Sequence, residues 1–302
     1  MNIIGHRFGM VAIIGPPNAG KSTLLNRLLG QKIAIVTPKP QTTRNRIAGI
    51  VTQAGFQMVL VDTPGLHKAR DEINRRMVRV ALDSLAEADV ALLLVDGSSM
   101  PARSEKKREE QAEELRSRCA HIQRPVVLVL NKSDLVAGEQ IPVLLDWYRH
   151  LHPFSALIPV SALHGTGMDE LMQTLVELLP PGPAHYPDDM PTDATERFIA
   201  AEIIREKVFL LVRDEVPYST GVLIESFAEG DPVVLHAAIL VERDSQKGIL
   251  IGRRGRMLAA IREQATAEIE EMLDCRVRLH LWIKVRKNWT TNPQIRREMG
   301  LE

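Results

Sequence analysis

The run Gly15-Pro16-Pro17-Asn18-Ala19-Gly20-Lys21-Ser22 has the spacing G-x-x-x-x-G-K-[ST]. It follows an apolar run, Phe8 to Ile14, and opens a helix-like segment that contains Thr23. Strand, glycine loop and helix in that order describe a phosphate cradle. Glycines such as Gly15 and Gly20 let successive backbone N–H groups, including that of Ala19, curl inward toward phosphate oxygens. The helix adds its partially positive N-terminus. Lys21 supplies a point charge for the β- and γ-phosphates, and the Ser22 hydroxyl suits Mg²⁺.

Three further signals follow in order. Asp62-Thr63-Pro64-Gly65 ends a second apolar run, Phe56 to Val61. There a carboxylate can hold Mg²⁺ through water, and the Gly65 N–H can reach the γ-phosphate. Asn131-Lys132-Ser133-Asp134 ends a third run. The Asp134 carboxylate can accept from the ring N–H and exocyclic amine of guanine, neither of which adenine offers. Asn131 would tie this loop to the phosphate loop, and the Lys132 stem would cover the base plane. Ser161-Ala162-Leu163 closes the set, with the Ala162 N–H placed to meet guanine O6. Between the first two motifs lies Gln41-Thr42-Thr43-Arg44. Thr42 or Thr43 would ligate Mg²⁺ and sense the γ-phosphate, with Thr43 favoured. This ordered set defines a Ras-like GTPase domain binding GTP or GDP with Mg²⁺. Leu66 stands where Ras-type enzymes carry a water-orienting glutamine. A slow intrinsic rate is therefore expected.

These loops need elements to hold them. Helical segments alternate with the apolar runs over residues 6–180, which implies a doubly wound, mostly parallel α/β sheet with every motif loop at the strand carboxyl ends. The chain has 302 residues, 45% hydrophobic, with no apolar run of membrane-spanning length. Two domains are expected. No leader pattern opens the sequence, and Cys119 and Cys275 read as ordinary thiols of a reducing compartment, so a cytoplasmic protein is expected. Residues 181–194, rich in proline, read as a semi-rigid linker.

Residues 195–290 have another rhythm, α–β–β–α–α–β, with Gly252-Arg253-Arg254-Gly255 between the two adjacent helices. A G-x-x-G in that position fits a smaller α+β KH domain of type II, in which the loop admits an RNA backbone and the arginines meet phosphates. The net charge is zero, but bases cluster. Arg243 to Arg262 carries six bases and one acid, and Arg276 to Arg297 carries seven bases and no acid. Clustered sign marks a nucleic-acid surface. Lys284, Arg286 and Lys287 sit between Trp282 and Trp289, and Trp289 in particular is expected to stack on bases. Residues 291–302 read as a tail. The same basic clusters could touch anionic lipid, by weak and salt-sensitive attraction only.

Taken together, GPPNAGKS, QTTR, DTPGLH, NKSD and SAL, followed by EIIREKVFLLVRDEVPYS, ILVERDSQKGILIGRRG and LWIKVRKNW, resemble the bacterial Era family of GTPases over nearly the whole chain. The resemblance implies a monomer that assists assembly of the small (30S) ribosomal subunit. Its KH domain would bind near the 3′ end of small-subunit (16S) ribosomal RNA, with GTP favouring binding. Asn18 resembles the residue that, in cation-dependent GTPases sharing this loop, helps bind a K⁺ acting in place of an arginine finger. Two rivals remain: a passive RNA-binding assembly factor with structural GTP, kept alive by Leu66, and a membrane-associated growth regulator.

Overall fold

The computed structural model describes residues 5–39, 42–63, 72–99, 104–120 and 122–299, with backbone only for 72–78. The chain divides into two compact units. Residues up to Ile33 and Arg46–Asp193 form the first, and Ala34–Asn45 with the chain from Ala194 form the second.

The first unit holds strands β1 (Arg7–Ile14), β2 (Ile47–Gln53), β3 (Phe56–Asp62), β4 (Val90–Asp96), β5 (Val126–Asn131) and β6 (Ala156–Pro159). They form one sheet in the order β2-β3-β1-β4-β5-β6, parallel except for β2. Helices α1 (Lys21–Leu29), α2 (Glu72–Glu87), α3 (Glu105–Cys119), α4 (Gln140–Arg149) and α5 (Met168–Leu178) connect them. Strands such as Val90-Ala91-Leu92-Leu93-Leu94-Val95 are apolar throughout because both faces are covered, and all six of these residues are buried. β1, β3, β4, β5 and β6 therefore end at one edge, and the motif loops that follow β1, β3, β5 and β6 leave from it.

The proline-rich segment is more than a spacer. Pro191 accepts from Ile50 N–H at 2.8 Å, and Thr192 Oγ1 donates to Ala48 O at 2.6 Å. The buried Gln57 accepts from the N–H groups of His185 and Tyr186 at 2.7 and 2.9 Å, while its amide donates to Tyr186 O. A buried side-chain amide that finds its partners in one strip of backbone fixes that strip to the sheet.

The second unit runs α6 (Glu196–Leu211), β7 (Gly221–Ala228), β8 (Val233–Val241), α7 (Asp244–Ile251), α8 (Arg256–Leu273), β9 (Val277–Val285) and α9 (Pro293–Glu298). β7 and β8 are antiparallel, and β8 and β9 are parallel. Thr195 caps α6 by accepting from Phe198 N–H. Ile261, Ala265 and Ile269, four apart on α8, face a core that includes Ile203, Leu235, Ile239 and Leu281. The helices cover one face of the sheet. On the other face Ala238, Leu240 and Trp289 form a second cluster with Leu223, Trp282, Ile295 and Met299.

Candidate functional site

In the first unit the phosphate loop is shaped by two glycines that nothing larger could replace. A Cβ on Gly15 (φ 153°) would lie 2.5 Å from Leu94 O, and one on Gly20 (φ 95°) would lie 2.3 Å from Asn131 Nδ2. Asn18 is also left-handed, at φ 61°. Lys21 is 7% exposed, and its ammonium donates to the carbonyls of Gly15 and Pro16 at 3.2 and 3.1 Å. Burial pulls its pKa below the ordinary lysine value; the Asp62 charge opposes that and Arg118 adds to it. A buried ammonium folded back on its own loop is arranged to meet an anion there. The Ser22 hydroxyl donates to Asp62 Oδ2 at 2.6 Å. The structure thus joins the two motifs expected to share Mg²⁺, and a hydroxyl and a carboxylate oxygen are the hard donors that ion takes. Thr23 follows in the first turn of α1. Gly65 and Leu66 lie outside the described residues.

The base end is tied to the phosphate end by one side chain. Asn131 Nδ2 donates to Ala19 O at 2.7 Å, and Asn131 Oδ1 accepts from Ala162 N–H at 3.0 Å. Asn131 therefore holds three loops together. The Ala162 N–H, read from the sequence as a guanine O6 donor, donates here to the asparagine carbonyl beside it. Ser161 is fully buried, and its hydroxyl accepts from His164 N–H at 3.2 Å. Leu163 is 64% exposed. Lys132 is left-handed and donates to Asp96 Oδ2 at 2.6 Å. Burial works against ionisation of Asp96, but hydrogen bonds from Lys132 and Ser98 outweigh it and hold the carboxyl below its usual range. The Asp134 carboxylate lies 3.7 Å from His164 Nε2. Asp96 and Arg27 were missed in the sequence; Arg27 donates to the carbonyls of Ala162 and Leu163. Only the end of an apolar strand could have pointed to Asp96, and nothing local points to Arg27.

Thr42 and Thr43 belong to the second unit, with the rest of Ala34–Asn45. Both are buried. The Thr42 carbonyl accepts from Arg205, which is itself paired with Glu202. Arg44 donates to the carbonyls of Thr220 and Tyr218 at 2.7 Å each, and Val36 N–H donates to Glu206 Oε1 at 2.7 Å. The guanidiniums of Arg44 and Arg205 lie 6.0 and 5.4 Å from the Phe209 ring centroid.

The second glycine loop joins α7 to α8. Gly252 (φ 69°) ends α7, Arg254 is left-handed at φ 53°, and Gly255 (φ 76°) leads into α8. Arg253 and Arg254 are exposed. Arg286 and Lys287 are exposed beyond β9. Lys284 is paired with Glu225 and stands 5.6 Å over the Trp282 ring. Trp289 corrects the stacking expectation: it is 0% exposed, and its indole N–H donates to Ser219 O at 3.1 Å. The chain beyond β9 folds back onto the sheet, so its most apolar side chain fills the space left above Gly221, where a Cβ would lie 2.8 Å from the indole. A stacked pair, His236 and His280 at 4.6 Å, occupies partnered positions on β8 and β9.

A phosphate loop, a guanine-type loop and their connecting asparagine at one sheet edge, followed by a G-x-x-G between two helices on a three-stranded sheet, define a GTPase fused to a KH domain. Family models agree: residues 10–132 match a 50S ribosome-binding GTPase, and residues 215–290 match a KH domain. The chain belongs to the Era family of GTPases. It is 51% identical to GTPase Era of Geotalea daltonii, over 97% of both chains, and 44% identical to GTPase Era of Lacticaseibacillus paracasei, over 98% of this chain and 97% of that one. Among solved structures it is similar to Era in complex with MgGDPNP and nucleotides 1506–1542 of 16S ribosomal RNA (36% identity, TM-score 0.89, 98% and 99% coverage). It is also similar to a tyrosine-to-alanine variant of Aquifex aeolicus Era bound to GDP·AlF4⁻ (37% identity, TM-score 0.88, 98% and 99% coverage).

Proposed function

We propose that this GTPase is a switch that binds the 3′ region of 16S ribosomal RNA through its KH unit when loaded with GTP, and so assists assembly of the 30S subunit. The observation that carries this reading is the placement of Ala34–Asn45. The chain leaves the nucleotide-binding unit after Ile33 and returns at Arg46, and the segment between them, with Thr42 and Thr43, is packed into the KH unit. In this reading the threonine assigned to Mg²⁺, Thr42 or Thr43, belongs to the KH unit. Arg205, Arg44 and Glu206 bond to this segment or from it, so they are the groups that ordering of Thr43 on Mg²⁺ would act on. The solved relative holding a GTP analogue together with 16S nucleotides supports the choice of ligands.

In this reading Ser22, Asp62 and Thr43 hold Mg²⁺, and Gly15, Ala19, Gly20 and Lys21 hold phosphates, with Gly65 on the γ-phosphate. Mg²⁺, when bound, neutralises charge on the β- and γ-phosphates. Asn131, Lys132, Asp134 and the Ser161-Ala162-Leu163 loop hold guanine. Asn18 helps bind K⁺, and equal single-turnover rates in sodium and potassium buffers would overturn that assignment. Gly252, Arg253, Arg254, Gly255, Arg286 and Lys287 meet RNA. The chain acts as a cytoplasmic monomer. No helix among the described residues is long and apolar enough to cross a membrane.

The test is the affinity of a single-stranded RNA matching the 3′ end of 16S RNA, measured on the GDP form and on the form loaded with a non-hydrolysable GTP analogue. Tighter binding by about 5–150-fold with the analogue is expected. Equal binding would leave a passive RNA-binding factor.

A further inference from the structure

The base-binding loop is fixed on its inner side by Asn131, which takes the Ala162 N–H, and by Ser161, whose hydroxyl and carbonyl accept from the N–H groups of His164 and Gly165. Its outer side is held from elsewhere. Arg27, in the last turn of α1, sends Nε to Ala162 O at 3.1 Å and Nη2 to Leu163 O. A guanidinium is a rigid planar fork of donors, so two consecutive carbonyls on one fork fix the position and the tilt of the peptide between them. That peptide carries the N–H of Leu163, next to the one read from sequence as the O6 donor. Gly165, at φ 83°, turns the loop through the left-handed region, and a Cβ there would only touch the guanidinium, 3.9 Å from Arg27 Cζ. The same helix begins with Lys21 and Ser22. One short helix thus fixes both the phosphate end and the six-position end of the nucleotide site.

We propose that Arg27 is a positioning residue for guanine selection, aligning the amide edge of the Ala162–Leu163 loop with O6 of the base. The proposal rests on the guanine reading above. It divides base recognition into two independent parts. Asp134 reads the N1–H and the 2-amino group, whereas the loop held by Arg27 reads the six-position oxygen. A change at Arg27 therefore weakens discrimination against purines altered at position six and leaves discrimination against purines lacking the 2-amino group as it was.

The experiment compares wild-type, Arg27→Ala and Arg27→Lys full-length protein for binding and release of three diphosphates: guanosine, inosine and 2-aminopurine riboside. Inosine lacks only the 2-amino group, whereas 2-aminopurine lacks both the oxygen and the N1–H. The N1–H loss is common to wild type and variant, so a change in that ratio between them reports the oxygen. The expected result for Arg27→Ala is faster release of guanosine diphosphate by about tenfold, the size of one charge-assisted hydrogen bond. The guanosine to 2-aminopurine affinity ratio should fall by a similar factor while the guanosine to inosine ratio holds. Arg27→Lys keeps the charge but loses the fork, and should recover part of the ratio. Equal weakening toward all three diphosphates in both variants would make Arg27 a packing residue and overturn the proposal, as would unchanged ratios and release rates. Wild-type protein without preference for guanosine would instead overturn the guanine reading itself.

Discussion

The loop before α1 and the loop before α8 each enter their helix through a left-handed glycine, Gly20 and Gly255. Around Gly20 the space is full: a Cβ would lie 2.3 Å from Asn131 Nδ2, and the adjacent Lys21 is buried with its pKa pulled down by desolvation. Around Gly255 nothing lies within 4 Å of where a Cβ would be, and the neighbouring Arg253 and Arg254 are in solvent. One loop is finished before its ligand arrives, with donors fixed by bonds to other loops. The other offers charge and an open backbone. An enclosed loop can select one small anion and one base, whereas an open loop reads a phosphate backbone through position and charge.

That comparison can be broken at four points. Asp134→Asn should produce the largest effect, a loss of GTP affinity on the order of 10⁴-fold with a gain for xanthosine triphosphate, measured by competition binding. Unchanged GTP affinity would remove the guanine assignment. Gly20→Ala should come next: the methyl displaces Asn131, and GTP turnover measured as kcat/KM should fall about 100-fold, the scale of an ångström-sized misplacement. The matched change Gly255→Ala carries only the left-handed strain of about 1–2 kcal/mol, visible as a lower Tm. If both alanines behave alike, the enclosed and open descriptions lose their meaning. Gly255→Asp should weaken RNA binding about 10-fold by setting a like charge against phosphate at a position where a side chain meets nothing, with circular dichroism confirming the fold. The smallest effect belongs to Arg253→Ala or Arg254→Ala. Each should lower the slope of log affinity against log salt by about one, and a slope that does not move would take that arginine off the phosphates.

The enclosed site was largely legible in the sequence because its chemistry restricts residue type at fixed spacing. Lys21, Ser22, Asp62, Asn131 and Asp134 could be placed from motif order alone, and the Ser22–Asp62 and Asn131–Ala19 bonds follow the expected pairing. The KH element order was legible from periodicity. What escaped was set by contacts between residues far apart in the chain. Trp289 looked like a stacking residue beside cations, yet Ser219 and Gly221, about 70 positions earlier, enclose it. Arg27 meets carbonyls 135 and 136 positions away. The Thr42–Thr43 segment read as a switch loop of the first domain, but Thr42 and Arg44 are buried and bonded to groups of the second unit.

The packing of that segment also sets an order of events during synthesis. Val36, Lys39 and Arg44 leave the ribosome 170, 173 and 176 residues before Glu206, Val212 and Thr220, to which they bond. At about 5–20 residues per second the interval is roughly 10–35 s. Through all of it the Val36 N–H has no Glu206 carboxylate to meet. A nascent chain can complete its nucleotide-binding sheet in that time with this segment still unplaced, and the segment gains these bonds only once α6 and the residues after it emerge. Shortening the chain at residue 193 would make the wait permanent.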